Sequence, residues 1–278
     1  MLQQRLASAA ILAPLLLVVL WIGQPWIGIA IALAAFLAAR ELFGLMRQAG
    51  IPNEPLLGAA IAVAVVAEAW LVEEALGEAA VIAAAAIIIA AIGGLLRPRP
   101  AEGFAAWMST AFGGLYVGLL GFGVRIFEGA PELARTAPIE DFLSGGQAWL
   151  LILILGVWAY DSGAYLVGQR WGRRRLIPHV SPGKTWEGVL GGAFACLIVS
   201  AIGLWAVGED VRGALLLGPL IAAAAQIGDV AESMLKRAAG VVDSGLLIPG
   251  HGGILDRVDS FIFAAPAVYF YLVTVAAS

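Results

Sequence analysis

The sequence has few charged residues and almost no cysteine. Only 13% of its 278 residues are charged, against about 25% in an ordinary soluble domain, and its mean hydropathy is +0.93. One soluble core could not bury so many apolar side chains, so lipid must surround most of them. The single Cys196 cannot form an internal disulfide and is expected to be a small buried hydrophobic residue. A net charge of −4 offers no basic surface for a nucleic acid.

Long apolar runs, bounded by charged residues, Pro or Gly, dominate the chain. They predict an all-α, polytopic integral membrane protein with about nine transmembrane helices, because these runs lack the strict alternation of a transmembrane barrel. The predicted helices cover residues 7–23, 25–46, 55–72, 79–96, 104–127, 147–168, 187–207, 211–235 and 257–277. The first is interpreted as an uncleaved helix, since no small-residue cleavage site follows it. We expect one transmembrane domain over 1–278, with an N-terminal helical half (about 1–146) and a catalytic half (about 147–278).

The few basic residues are distributed unevenly between the loops. If the nine helices alternate in direction, 13 of the 16 Lys and Arg residues fall on one side of the membrane. The positive-inside rule makes that side cytoplasmic, which places the N-terminus in the cytoplasm. The two polar loops at about 169–186 and 236–256 then face the cytoplasm. The sequence therefore predicts a cell (inner) membrane protein whose active site faces the cytoplasm.

The eighth predicted helix carries a polar stripe. Its residues have the i, i+3, i+4, i+7, i+8 spacing of one helical face, and they are Asp229, Glu232, Ser233, Lys236 and Arg237. Ionisable groups at membrane depth are costly unless they face a wet cavity or a partner, so they indicate function. The alternative is a helix that has left the bilayer, with Glu232 and Lys236 forming a surface pair.

A glycine-rich segment follows, with further acids behind it. The run Pro249 to Gly253 cannot continue a helix, and its glycines allow backbone N–H groups to approach an anion. Asp256 and Asp259 are three residues apart at a helix start, so we expect both carboxylates to point to one side. Facing Asp229 across a cavity, they would offer oxygen ligands to Mg²⁺. Alternatively, Asp256 is simply a helix N-cap.

The other cytoplasmic loop contributes bases. Asp161 interrupts a very apolar run and is a further candidate for the polar cavity. Lys184 lies in a Ser-Pro-Gly-Lys-Thr segment that is predicted to be a turn before the seventh helix, where N–H groups and a point charge suit a phosphate. Arg170 to Arg175 could instead only anchor the helix to anionic lipid headgroups. Acids for a metal and bases for phosphates together predict phosphoryl or nucleotidyl transfer to a lipid.

Residues 233–259 resemble the signature of the phosphatidate cytidylyltransferase (CDP-diacylglycerol synthase) family. The matching residues are Ser233, Lys236, Arg237, Asp243, Pro249, Gly250, His251, Gly252, Gly253, Asp256, Arg257 and Asp259. The blocks Ser181–Gly188 and Asp161–Tyr165 are similar to two further family blocks, and the similarity covers roughly residues 155–265. The resemblance implies transfer of the cytidylyl group of CTP to phosphatidate, with Mg²⁺, a second cation left open, and a homodimer.

The reaction that the resemblance implies suggests a role for each candidate side chain. Asp229 and Asp256 would bind the metal with Glu232, and Asp259 would support them. Lys236 and Arg257 would neutralise phosphates during catalysis. The substrate-binding candidates are Asp161, Ser181, Lys184, Ser233, Arg237, His251, Gly252 and Gly253.

Two departures and two alternatives stay open at this point. Val242 and Gly183 stand where the family usually has lysines, which puts nucleotide affinity in doubt. The same transfer to another phospholipid, such as an ether lipid, fits the sequence equally. A membrane transporter fits less well, because the polar residues crowd into the C-terminal half rather than into matching halves.

Overall fold

The computed structural model describes residues 2–71, 75–245 and 252–276. Within these ranges the chain forms ten α-helices and two short strands. The helices are α1 (Leu2–Ile22), α2 (Trp26–Gln48), α3 (Pro55–Leu71), α4 (Ala75–Leu95), α5 (Pro100–Gly118), α6 (Gly121–Gly129), α7 (Gly145–Trp171), α8 (Trp186–Val207), α9 (Ala214–Ala238) and α10 (Leu255–Tyr271). The strands β1 (Arg175–Ile177) and β2 (Ser181–Thr185) form an antiparallel hairpin between α7 and α8.

The all-α prediction is confirmed, and the helices follow the predicted apolar runs within a few residues. Helices α5 and α6 together occupy one of these runs, Pro100–Gly129. Six helical stretches of the described chain are long and apolar enough to cross a membrane. The apolar stretches Leu12–Ile22, Pro55–Leu71 and Ala79–Leu95 are shorter. The count of nine spans and their orientation stay predictions.

One face of helix α8 is apolar and exposed along its whole length. Large apolar side chains recur along it every three or four residues and are between 45% and 69% exposed. They are Leu190, Phe194, Ile198, Ile202 and Trp205. In water such a continuous apolar stripe would be an aggregation liability. This face therefore fits contact with lipid chains.

The chain divides into two compact units that are interleaved in sequence. The first comprises Met1–Val124 with Met234–Val258, and the second comprises Arg125–Ser233 with Asp259–Ser278. In the first unit α3, α4 and α5 pack around a small apolar cluster that includes Ile61, Ala90 and Ala111. An ion pair between Arg97 and Glu54 (2.7 Å) joins the segment after α4 to the start of α3.

In the second unit, local sequence signals define where α7 and α8 begin. Ser144 and Gln147 form a reciprocal capping box at the start of α7. Thr185 caps α8 by accepting a hydrogen bond from the backbone N–H of Gly188 at 3.1 Å. Because Thr185 is also the last residue of β2, the cap ties the hairpin to the helix that follows it.

The turn predicted for the Ser-Pro-Gly-Lys-Thr segment is wrong. Residues Ser181–Thr185 are the strand β2, in which Thr185 pairs with Arg175 and Ser181 pairs with Ile177. The Pro-Gly pair suggested a turn, but the chain reverses three residues earlier, at 178–180, where Val180 N–H bonds to the carbonyl of Ile177. The partner strand, which a local pattern does not reveal, decides the conformation here.

The close approach of α7 and α8 generates the first prediction. A Cβ on Gly192 would lie 2.7 Å from the backbone oxygen of Tyr160 and 2.7 Å from its ring. We expect Gly192→Ala to lower the free energy of unfolding by about 1–3 kcal/mol through overpacking. The unfolding temperature in detergent, followed by tryptophan fluorescence, measures this loss.

Gly44→Ala is the matched control, since a Cβ there meets nothing within 4 Å in α2. Alanine favours a helix over glycine, so this variant should unfold at the wild-type temperature or slightly above it. Equal unfolding temperatures for the two variants would contradict the close helix approach.

Candidate active site

An ion pair between β2 and α9 forms the first polar cluster, in the second unit. Lys184 Nζ lies 2.5 Å from Asp229 Oδ2, and the two side chains are 19% and 33% exposed. Ser233 Oγ lies 3.5 Å from the other oxygen of Asp229. We call these three residues the Asp229 cluster. Lys184 is therefore paired with a carboxylate, and the side chain of Asp229 remains partly exposed to solvent.

Neighbouring contacts fix both partners of this pair. Lys184 immediately precedes the helix cap Thr185, so its backbone is set by the hairpin on one side and by α8 on the other. Three residues before Asp229 in α9, Gln226 accepts a 2.6 Å hydrogen bond from the hydroxyl of Tyr160 in α7. A predicted phosphate ligand and a predicted metal ligand thus meet on rigid elements.

A second polar cluster lies in the first unit, around Asp256. Lys236 Nζ is 2.7 Å from Asp256 Oδ1, and their side chains are only 12% and 7% exposed. The other oxygen, Oδ2, accepts hydrogen bonds from Ser244 N–H (2.9 Å), Ser244 Oγ (2.8 Å) and Gly253 N–H (2.8 Å). With Glu41, described next, these residues form the Asp256 cluster. The carboxylate is thus oriented by the protein on one side and paired with a cation on the other.

Glu41 of α2 is the member of this cluster that sequence reasoning missed. It accepts hydrogen bonds from Ile254 N–H (3.1 Å) and Leu255 N–H (2.8 Å), and Ser244 Oγ lies 3.1 Å from its Oε2. The signal for it was present, because an acid inside a predicted membrane helix is a functional candidate by default. Nothing local to Glu41 indicates its partners, which lie 203 to 214 positions later in the chain.

Asp256 is not the N-cap of α10, which corrects the alternative considered for it. Asp256 is the second residue of α10 and therefore lies inside the helix, and its Oδ2 accepts a hydrogen bond from the N–H of Gly253, which precedes the helix. The same carboxylate also pairs with Lys236. Asp256 therefore acts as the ion-pair partner of Lys236 and as an acceptor for the segment before the helix.

The remaining predicted residues differ widely in exposure. Glu232 is fully buried, and Asp259 is 8% exposed and accepts a hydrogen bond from Ser260 N–H at 2.6 Å.

The predicted phosphate and substrate contacts are more exposed. Asp161, Arg237 and Arg257 are exposed, whereas Ser181 and Gly252 are half-buried. His251 lies outside the described residues. The predicted substrate contacts of all these residues stay predictions.

The donors available to a metal are hard carboxylate oxygens. Within residues 2–71, 75–245 and 252–276, no three His, Cys, Asp or Glu side chains gather into one group. Mg²⁺ needs no such group, since it commonly binds one or two carboxylates together with substrate phosphates and water. The partly exposed carboxylate of Asp229 fits this mode of binding.

The chain is similar over almost its whole length to known proteins. The model of the cytidylyltransferase family matches residues 3–275. A phosphatidate cytidylyltransferase from Synechocystis sp. is 37% identical, with 97% of this chain and 96% of the relative aligned. A chloroplastic phosphatidate cytidylyltransferase from Arabidopsis thaliana is 37% identical over 88% of this chain and 67% of its own length. One from Haemophilus influenzae is 47% identical over 45% of this chain and 46% of its own. The chain therefore belongs to the cytidylyltransferase family.

Proposed function

We propose that this protein transfers the cytidylyl group of CTP to phosphatidate, forming CDP-diacylglycerol and pyrophosphate for phospholipid synthesis. The observation that carries the proposal is the 37% identity, along nearly the full chain, to a relative named phosphatidate cytidylyltransferase. Two lysine–aspartate pairs on an otherwise apolar chain suit the same chemistry, because both substrates are phosphates and one of them is a lipid.

The arrangement in the membrane is part of this proposal. Nine spans with a cytoplasmic N-terminus would place 13 of the 16 basic residues in the cytoplasm. CTP is a soluble anion, so an active site on that side of the inner membrane could receive it directly, while phosphatidate enters from the bilayer. A homodimer is proposed from the family resemblance alone.

The reaction is an in-line displacement at the α-phosphorus of CTP. An oxygen of the phosphatidate phosphate forms the new bond to phosphorus, and the bond between the α-phosphorus and the bridging oxygen breaks. The electron pair of that bond leaves with pyrophosphate. Both reactants are anions, so positioning and charge neutralisation supply most of the rate.

The two lysines are the residues that would neutralise this charge. Each now lies against an aspartate, Lys184 at 2.5 Å and Lys236 at 2.7 Å. We infer that a substrate phosphate competes with the aspartate for each ammonium group. Pairing in the free protein limits the cost of burying these charges and keeps the lysines in position. Arg237 and Arg257 are exposed and could attract the triphosphate from solution.

Asp229 and Glu232 in the second unit and Asp256 in the first are each proposed as a ligand of Mg²⁺. A bound Mg²⁺ would offset negative charge on the phosphates that transfer the cytidylyl group. Asp229 has the exposure that such a role needs, and the bonds from Ser244 and Gly253 fix the orientation of Asp256. A carboxylate that is held in place in advance loses little entropy when it binds a cation.

The first test of the proposal is nucleotide choice. The purified protein in detergent micelles with phosphatidate, CTP and Mg²⁺ should release pyrophosphate. With UTP or ATP the rate should fall by about 100-fold or more, because unpaired polar groups in the base site would reject the wrong base. Equal release with all three nucleotides would contradict a cytidine-specific site.

The second test is Asp256→Asn. Loss of the negative charge removes the partner of Lys236 and a proposed metal ligand, so pyrophosphate release should fall by about 100-fold or more. Asp141→Asn, at an exposed loop position, is the control and should keep wild-type activity. Turnover near the wild-type rate in Asp256→Asn would remove this residue from the site.

The third test separates the roles of Lys184 and Asp229, two of the three members of the Asp229 cluster. Lys184→Met removes a charged hydrogen-bond donor, so we expect the KM for a phosphate substrate to rise by about 10- to 100-fold. Asp229→Asn should instead raise the Mg²⁺ concentration needed for half-maximal rate. Arg135→Gln, at an exposed position, is the control for charge loss. An unchanged Mg²⁺ titration in Asp229→Asn would exclude it as a metal ligand.

A further inference from the structure

Helix α10 begins under a carboxylate supplied by a distant helix. The first N–H groups of any helix have no partner within it. Here Ile254 N–H donates to Glu41 Oε1 at 3.1 Å and Leu255 N–H donates to Oε2 at 2.8 Å. A negative charge is also favoured at this end of the helix dipole. Glu41 thus does for α10 what a local N-cap side chain usually does.

Ser244 links Glu41 to Asp256. Its hydroxyl oxygen lies 3.1 Å from Glu41 Oε2 and 2.8 Å from Asp256 Oδ2. A serine hydroxyl carries one proton, so it donates to one carboxylate at a time while both remain in contact with it. Asp256 Oδ2 also bonds to the N–H of Ser244 and of Gly253. All three donors to Oδ2, two of them backbone N–H groups, therefore belong to Ser244, which Glu41 contacts, and to Gly253, which adjoins the Ile254 that Glu41 contacts.

The backbone has been brought unusually close to Glu41. A Cβ on Gly253 would collide with Glu41 Oε2 and with Ser244 Oγ. The position therefore admits only glycine while the carboxylate stays where it is. Glu41 is held between the segment after α9 and the start of α10, and Ser244 in the first of these and Gly253 just before the second donate to Asp256.

We propose that Glu41 is a positioning residue for the transfer reaction. It anchors the backbone around Ser244 and Gly253, so that Asp256 keeps Oδ2 bound to the protein and presents Oδ1 on the side of Lys236, 2.7 Å away. The inference rests on the proposed role of Asp256. Glu41 itself touches neither substrate nor metal in this scheme and acts through Ser244 and the start of α10.

The test compares Glu41→Gln, Ser244→Ala and the double variant with wild type. For each, kcat, both KM values, the half-saturating Mg²⁺ concentration and the unfolding temperature are measured. We expect Glu41→Gln to lower kcat about tenfold and raise the half-saturating Mg²⁺ concentration about tenfold, with the KM for CTP changed less than about threefold. The double variant should lose less than the product of the two single losses, since both act through one network.

The matched control is Glu102→Gln, which removes an exposed carboxylate that pairs with Arg99 at the start of α5. It should leave every kinetic constant unchanged. A purely structural role for Glu41 would lower the unfolding temperature and the amount of active protein, but not the half-saturating Mg²⁺ concentration. An unshifted Mg²⁺ titration in Glu41→Gln, or losses that multiply fully in the double variant, would overturn the proposal.

Hydrogen exchange, measured on the protein without substrate or metal, tests the anchoring by Glu41 independently of the proposed function. The amides of Ile254 and Leu255 should exchange about tenfold faster in Glu41→Gln than in wild type or Glu102→Gln. If Asp256→Asn proved fully active, the role of Asp256 would fail while the exchange result still reported on the anchor. Unchanged exchange at both amides would overturn the anchor itself.

Discussion

A charged side chain that is buried in a lipid-facing protein needs a partner of opposite charge, and this constraint determines how the polar residues of both clusters are arranged. An isolated ammonium or carboxylate in an apolar setting is costly, and a hydrogen-bonded partner offsets that cost. Lys184 meets Asp229 and Lys236 meets Asp256, each at less than 3 Å. In ordinary proteins such pairs add little to stability, because desolvation cancels most of the attraction. Here each pair fixes the position of a lysine and an aspartate that the proposed reaction would use.

The same constraint explains why backbone and side chains are so closely connected near α10. The segment that precedes this helix is rich in glycine and cannot supply a side-chain cap of its own. The N–H groups of Ile254 and Leu255 instead bond to Glu41, and that of Gly253 bonds to Asp256. A carboxylate from α2 therefore completes a helix that begins more than two hundred residues later. The N-terminal half of the chain, which carries no recognisable motif, contributes to the proposed chemistry in this way.

The parts of the site that could be predicted are those that the chain encodes locally. The stripe on α9 follows from helical spacing, and all five of its residues lie within that helix. The chemical character of Lys184, Asp229 and Asp256 follows from residue type. The conformation of Ser181–Thr185 did not follow, because a strand needs a partner strand, and Pro-Gly reads locally as a turn. Glu41 was overlooked because its importance comes only from contacts with residues far along the chain.

The sequence by itself determined that lipid surrounds most of this protein, that its fold is all-α and which family it belongs to. Hydropathy is a sum over individual residues, and the spacing of a motif does not depend on how the chain packs. Both can therefore be read along the chain. Only the tertiary structure decided which acid pairs with which base, how Asp256 is oriented and what caps α10. The ion pair of Lys236 and Asp256 joins residues 20 positions apart, and the cap from Glu41 reaches 214 positions along the chain. Helix packing creates them, and a one-dimensional pattern does not contain that information.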